Sequence, residues 1–419
     1  MSKTKALILA AGLGTRMKTE EPKVLHKVAG KALIERVIGS LKKAGVDDIT
    51  AVVGYKSDAV KKAVKEKIGY VIQDKLLGTG DAVKRAEGVL RGFSGTLVVA
   101  CGDAPLITGE TFLDLVKTHV KTGAACTVLT CDMDDPSSYG RIVRDKRDSV
   151  IKIVEEKDAS PKEKSIKEVN TGTYCFSNKE LWKNINKIEE NPKKKEFYLT
   201  DIVELMVESG KKVIAVKCAS AEAVGINSRR DIASANRIAV DKTVLRLMDG
   251  GVTIIDPTTV WIEEDVRIGQ DTVIYPNTVI EGGVVIGKDC KIGPFARIRP
   301  GSDISDGAEI GNFVEICRTK VGERTKVKHH TYLGDAVVGK DVNVGAGVIT
   351  ANYDGVNKNK TIIKDAAFIG VGVTLIAPVE IGKGARVGAG SVVTKNKNVP
   401  DGATVVGVPA RLFSSAKKA

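Results

Sequence analysis

The residues best equipped for chemistry fall into two groups. The first combines cations with glycine. Gly12, Gly14, Arg16 and Lys23 follow the apolar run Lys5–Ala11. Glycine lets backbone amides approach a ligand and the two cations add charge, which is the make-up of a phosphate cradle. No Gly-Lys-Ser/Thr follows, so it is not a Walker loop, and the absence of GxGxxG excludes a dinucleotide fingerprint. Gly78-Thr79-Gly80 opens a helical pattern and could hold a second anionic group. Asp103 follows the apolar run Thr96–Ala100. A carboxylate at the carboxyl end of a buried strand is a natural Mg²⁺ ligand beside phosphates, or else a turn or helix cap. The second group is histidine, of which the chain has four. His26, in Pro-Lys-Val-Leu-His, and His119, on an expected helix, read as structural. His329 and His330 precede Thr331-Tyr332-Leu333, and an imidazole there is a candidate general base near neutral pH.

These groups need scaffolds, and the sequence supplies two. Up to Ser228, apolar runs (Ile49–Val53, Tyr70–Gln73, Thr96–Ala100, Val213–Val216) alternate with helical patterns (Asp58–Lys67, and one ending at Glu208). That alternation predicts an α/β domain with a mostly parallel, Rossmann-like sheet whose ligands sit at strand carboxyl ends. Residues 229–250 have apolar positions at helical spacing and end at Gly250-Gly251, as a connecting helix would. Beyond them, ten isoleucines from Ile262 to Ile316 stand in steps of six. A helix, at about 3.6 residues per turn, would scatter them; in an extended chain an even period keeps them on one face. Each hexad therefore reads as a short strand plus a corner, with small residues such as Thr272, Cys290 and Ser302 inside the bend. Stacked coils bury what one hexad cannot, which predicts a parallel β-helix. The rhythm slips after Ile316 and is interrupted between Val344 and Ile369, where a looped-out insertion is expected on a binding face. The expected domains are 1–228, 229–250 and 251–419.

Composition narrows the partners. The chain has 419 residues, a net charge of +13 and 42% hydrophobic residues. Its basic residues are scattered and aromatics are few, which argues against nucleic acid and for small anionic substrates. Seven cysteines without CxxC or paired spacing read as reduced thiols of a cytoplasmic protein. No stretch approaches the roughly 20 apolar residues of a membrane span.

With these clusters in hand, the chain resembles one family over nearly its whole length. The motifs are LILAAGLGTRM, PKVLHKVAGK, QDKLLGTGDA, GDAPL, DDPSSYGRI, IVEEKDA, EVNTG and EFYLTDI, then IGPFARIRPG, GNFVE, TYLGDAVVGKDVNVGAG and TANYDGVNKNKT. They are similar to those of the bifunctional bacterial enzymes of UDP-N-acetylglucosamine synthesis, a uridylyltransferase fused to a glucosamine-1-phosphate acetyltransferase. The resemblance implies a left-handed β-helix of hexapeptide repeats and a homotrimer. It implies that Leu9, Ala10, Ala11 and Gly12 line UTP, that Gln73, Gly78 and Thr79 read uracil, and that Arg16 and Lys23 meet the triphosphate. Gly140, Glu155 and Asn170 would hold the amino sugar, and Asp103 with Asn227 the Mg²⁺. In the second half His329 would be the catalytic base, with Glu315 orienting it. Arg299, Tyr332, Asn343 and Lys358 match sugar-phosphate positions. Ala346, Asn352, Tyr353 and Ala389 match acetyl-CoA positions.

The departures lie in the second half. Cys317 replaces a phosphate-binding lysine, with Arg318 adjacent to substitute for it. Val371 replaces a serine that touches acetyl-CoA, and the C-terminus reads VVGVPARLF. Two other readings compete: a single-activity nucleotidyltransferase whose β-helix only oligomerises it, and a nucleotide-sensing protein without turnover; a variant of the main reading has the acetyltransferase act on a different amino sugar phosphate. His329, Tyr332 and the NYDGVNKNK loop argue against the first. The joint presence of Lys23, Asp103 and Asn227 argues against the second.

Overall fold

The computed structural model describes residues 3–413 and divides them into two compact units, up to Asn236 and from Arg237 onward. The first is built on a nine-stranded sheet. Its strands are β1 (Thr4–Ala10), β2 (Ile49–Val53), β3 (Gly69–Ile72), β4 (Thr96–Cys101), β5 (Cys126–Asp132), β6 (Arg141–Arg144), β7 (Val150–Val154), β8 (Glu168–Ser177) and β9 (Val213–Lys217). The order is β9-β5-β8-β4-β1-β2-β3, with β6 pairing β8 and β7. Pairing is parallel across β4-β1-β2-β3 and β5-β9, while β8 runs antiparallel to β4 and β5.

Both faces of the central strands are apolar, so helices cover both. Ala6, Ile8, Val98 and Ala100 pack on helices α1 (Leu33–Lys43) and α3 (Gly109–Thr122). Leu7, Leu97 and Val99 face the opposite way, toward α2 (Thr79–Arg85) and α4 (Asp201–Glu208). The loops that leave β1, β3 and β4 at their carboxyl ends carry the predicted site residues. A long helix, α5 (Arg229–Asp249), contains the division between the units.

The second unit is a prism of three sheets with ten, eight and seven strands, in which parallel pairing joins every third strand of the chain except at the end of the ten-stranded sheet, where Thr404–Val406 pairs antiparallel with Arg411–Leu412. It is the left-handed hexapeptide β-helix expected. Ile262, Ile280, Ile298, Ile316 and Leu333 stack in one register and are fully buried. Burying such a side chain contributes about 2 kcal/mol, and no coil can do so alone. The small corner residues are buried as well. Their hydroxyls satisfy carbonyls of the next coil: Thr272 Oγ1 donates to Gly287 O at 2.8 Å and Thr325 Oγ1 to Gly339 O at 2.7 Å. Hydroxyls at these positions are thus satisfied in Thr272 and Thr325, whereas the buried Ser302 Oγ has no hydrogen-bond partner.

The interruption of the repeat is shorter than the sequence suggested. Thr350 and Ile363 both point inward, at 0% and 1% exposure, and their strands pair normally with neighbouring coils. Only residues 352–360 leave the prism. The inward threonine hid one hexad, and the loop displaced the next.

Candidate active sites

After β1 the chain passes Ala11 and Gly12 into two short 3-10 turns, Thr15–Met17 and Lys23–Leu25. Gly14 has φ 63°, and a Cβ there would lie 2.7 Å from the Lys23 side chain, so the turn that aims Lys23 needs glycine. Lys23 Nζ donates to Asp103 Oδ2 and, at 2.8 Å, to Asn227 Oδ1. Arg16 donates to the same Asn227 oxygen at 2.9 Å. Four predicted residues from three parts of the chain thus meet at the carboxyl ends of β1 and β4. The loop bearing Asn227 is fastened there, because Ile226 N donates to Asp103 O at 2.9 Å. Asp231 accepts from the amides of Asn227 and Ser228 at 2.8 and 2.7 Å. Two side-chain oxygens facing one ammonium make a hard, oxygen-only donor pair that suits Mg²⁺. Among the described residues no group of three or more His, Cys, Asp or Glu could hold a metal, so such an ion would complete its shell with water or phosphate.

A cavity of about 440 Å³ opens beside this point, and Leu9, Arg16, Thr79, Gly140, Glu155, Asn170 and Asn227 all line it. Glu155 is largely buried, which raises its pKa, while a 3.1 Å bond from Thr200 Oγ1 works in the opposite sense. Asn170 Nδ2 donates to Tyr174 Oη at 2.7 Å and its Oδ1 accepts from Gly172 N at 3.0 Å, which fixes the amide. A Cβ on Gly140 would meet Ile153 at 3.0 Å, so glycine keeps that wall back. Gly78 has φ 98°, and a Cβ there would lie 2.5 Å from Phe197 O. Thr79 Oγ1 accepts from Leu199 N at 3.0 Å. Ala10 and Ala11 are buried at the strand end, and Gly12 has open space around it. Cys101 also lines the cavity, but burial pushes its thiol up to about 12, so it offers no nucleophile.

In the prism, His329 is exposed at the end of the strand Lys326–His329. Its Nδ1 lies 2.8 Å from Asn312 Oδ1. The expectation that Glu315 orients this histidine is not met. Glu315 instead accepts from Arg299 at 2.9 Å. The cause is placement: Glu315 lies on the eight-stranded side, opposite Tyr332, while His329 lies on the ten-stranded side. The five-residue step from Ile316 to Val321 shortens one coil, so the residue paired with His329 is Asn312 and not Gly311. Arg318 donates to both carboxylate oxygens of Asp335 at 2.6 and 2.8 Å, a pair that raises its pKa. Cys317 Sγ is 2.8 Å from its Nη1. Asn352 bonds the same Asp335, which also feels the charge of Lys358. Arg299, Glu315, Tyr332, Arg318, Asp335 and Asn352 therefore form one connected polar face. Asn343 stands apart from it, paired in its ladder with Lys326 and Phe368. Ala346, Val371 and Ala389 share one corner: Gly372 N donates to Ala346 O and Gly390 N to Val371 O, both at 2.8 Å. Tyr353 and Lys358 bridge the base of the protruding loop.

Sequence reasoning missed the supporting partners: Asp81, Tyr174, Thr200, Asp231, Asn312 and Asp335. The last two lie 17 residues from His329 and Arg318, one short of the regular 18-residue coil, so the repeat alone pointed to their neighbours.

A nucleotide-sized cavity at the carboxyl ends of an α/β sheet and a hexapeptide prism with an exposed histidine define a two-domain transferase. Comparison with known proteins agrees. The nucleotidyl transferase family matches residues 5–225, and the six-repeat bacterial transferase hexapeptide family matches 265–300, 283–318 and 360–395. The protein named bifunctional protein GlmU of Acetivibrio thermocellus is 45% identical, over 93% of this chain and 92% of its own. Its namesake in Geobacillus thermodenitrificans is 46% identical, over 97% and 96%. That of Thermoanaerobacter pseudethanolicus is 43% identical, over 96% and 94%. The chain belongs to the bifunctional GlmU family.

Proposed function

We propose that the prism acetylates glucosamine-1-phosphate from acetyl-CoA and that the α/β unit then joins the product to UTP, releasing pyrophosphate. The observation that carries the second step is the meeting of Arg16, Lys23, Asp103 and Asn227 beside a cavity walled by Glu155, Asn170 and Gly140. A phosphate oxygen of the sugar attacks the α-phosphorus of UTP and pyrophosphate leaves, so the protein supplies alignment and positive charge rather than a nucleophile. Lys23 and Arg16 meet the triphosphate, Leu9, Ala10, Ala11 and Gly12 line it, and Gln73, Gly78 and Thr79 face the base. Asp103 and Asn227 would hold Mg²⁺, which when bound adds charge at the phosphate oxygens. Glu155 and Asn170 hold the sugar hydroxyls and amide, and Gly140 makes room for them.

For acetyl transfer, His329 Nε2 takes the proton from the amine as nitrogen attacks the thioester carbonyl, and the thiolate of coenzyme A leaves. Asn312 supports this by accepting from Nδ1–H, which leaves Nε2 as the basic nitrogen. Arg299, Arg318, Tyr332 and Lys358 bind the sugar phosphate, and Asn343, which stands apart from their face in one protomer, joins them across a subunit junction. Ala346, Asn352, Tyr353 and Ala389 bind acetyl-CoA. The working units are 1–228, the connector 229–250 and 251–419. The chain assembles as a homotrimer in the cytoplasm. Support for the trimer comes from the exposed corner where Phe313 stacks between Phe295 and His330, with ring centroids 5.2 and 5.0 Å apart. Support for the compartment comes from seven free thiols. No described helix is long and apolar enough to cross a membrane.

The test pairs two variants. Asp103→Ala should cost uridylyl transfer about 10²-fold or more and spare acetyl transfer, and His329→Ala should do the reverse. Pyrophosphate release and coenzyme A release read the two reactions separately. Loss of both in either folded variant would contradict independent sites. Light scattering on the eluting protein reads the trimer.

A further inference from the structure

Gln73 follows the edge strand β3 and is 4% exposed. Its backbone is fixed by Gln73 N donating to Val53 O at 2.8 Å. Its carboxamide is fixed by two partners: Nε2 donates to Gly78 O at 3.1 Å and to Asp81 Oδ2 at 2.8 Å. Both partners can only accept, one being a carbonyl and the other a carboxylate. The amide nitrogen must therefore face them, and the opposite orientation would set oxygen against oxygen. Asp81 is itself held, 8% exposed on α2, with Arg85 Nε 3.3 Å from its other oxygen. Gln73 Oε1 is left without a hydrogen-bond donor among the described residues. The carboxamide's partner Gly78 is followed directly by Thr79, which lines the cavity.

From this we infer that Asp81 is the positioning residue that sets base choice, by holding Gln73 as an acceptor toward the nucleotide. The inference rests on the proposed uridylyl transfer with Gln73 facing the base. Uracil and thymine carry an N3–H that donates to such an acceptor. Cytosine presents a bare N3 at the same edge, and two lone pairs would meet. A site built to complete one hydrogen bond discriminates strongly against a base that cannot make it. Nothing in the apolar or cationic parts of the pocket makes this distinction, because UTP and CTP share their sugar and phosphates.

The experiment measures pyrophosphate release with UTP and with CTP for the wild type, Asp81→Asn and Asp81→Glu. Asparagine has the same shape but can turn its own amide to donate, so the shorter of the two contacts no longer dictates the Gln73 orientation and only the 3.1 Å bond to Gly78 O still favours it. We expect the ratio of kcat/KM for UTP over CTP to fall at least about tenfold in Asp81→Asn. Part of the fall should come from a gain with CTP. Asp81→Glu, which still only accepts, should keep the ratio within about threefold of wild type. Should Asp81→Asn fail to fold, Asp81→Ser offers the same change in donor character at smaller volume. An unchanged ratio in a folded variant, or a parallel loss with both nucleotides, would overturn the inference. A wild type that uses neither nucleotide would instead overturn the reading beneath it.

Discussion

Replacing Asp201 by asparagine should stabilise the first unit above pH 6 and do little near pH 4. Asp201 is the first residue of α4, and its carboxyl is pushed from an ordinary 3.8 up to about 6. Burial is the larger cause, followed by the charges of Glu155, Glu204 and Asp158. The folded pKa is raised, so the folded chain binds the proton more tightly than the unfolded one. The stability this confers is complete below about pH 4 and is lost as pH rises through 6. Above that, the ionised carboxylate carries a penalty of at most about 3 kcal/mol. The group is only about half buried, and solvent screening reduces this to about 1.5 kcal/mol. Asparagine removes the penalty but forfeits about 0.5 kcal/mol of favourable interaction between a carboxylate and the helix N-terminus. The net gain is about 1 kcal/mol at pH 8, or about 3 °C for a unit of this size. Urea unfolding followed by Trp182 fluorescence, in a chain with Trp261→Phe, isolates this unit. A gain that is the same at pH 4.5 and pH 8, or an asparagine variant less stable at pH 8, would refute the reasoning.

Two other outcomes follow from the geometry. Asn312→Ala should lower kcat for acetyl transfer about tenfold with KM for acetyl-CoA and uridylyl transfer unchanged, since it removes only the group that orients His329; steady-state coenzyme A release checks this. Gly78→Ala should destabilise the first unit by about 2 kcal/mol or more and raise KM for UTP, because its Cβ would fall 2.5 Å from Phe197 O at φ 98°; denaturant melts and pyrophosphate release read the two effects.

Parts of this architecture were legible from residue order and others were not. The prism announced itself, because nearly every side needs one inward apolar residue and isoleucine fills ten of these positions in unbroken steps of six. The run Ile49–Val53 is the observed strand β2, and Thr96–Ala100 needs only Cys101 added to become β4. The expected helix Asp58–Lys67 is shorter, Ser57–Ala63, ending where Val64 takes an extended conformation. Residues that touch the ligand cavity were visible as motifs because their types are chemically unusual for loops. Their supports were not. Asp81 looks like one more charge on a helix until β3 and α2 are packed together. Asn312 meets His329 only because one coil is a residue short, so its role depends on a register that periodicity alone does not fix. Glu315 was the more obvious partner by chemistry, and it belongs to Arg299.

The prism also has a modular arithmetic. Each side repeats after three hexads, as when Ile280 lies over Ile262 and under Ile298. An excision of one complete lap, such as residues 265–282, lets the remaining ladders rejoin with every inward residue still inward. An excision of a single hexad rotates everything downstream by one side of the triangle and lays unlike faces against each other. Length can therefore drift among relatives in whole laps, while the polar face carrying Arg299, Tyr332 and Asp335 keeps its rank and its spacing.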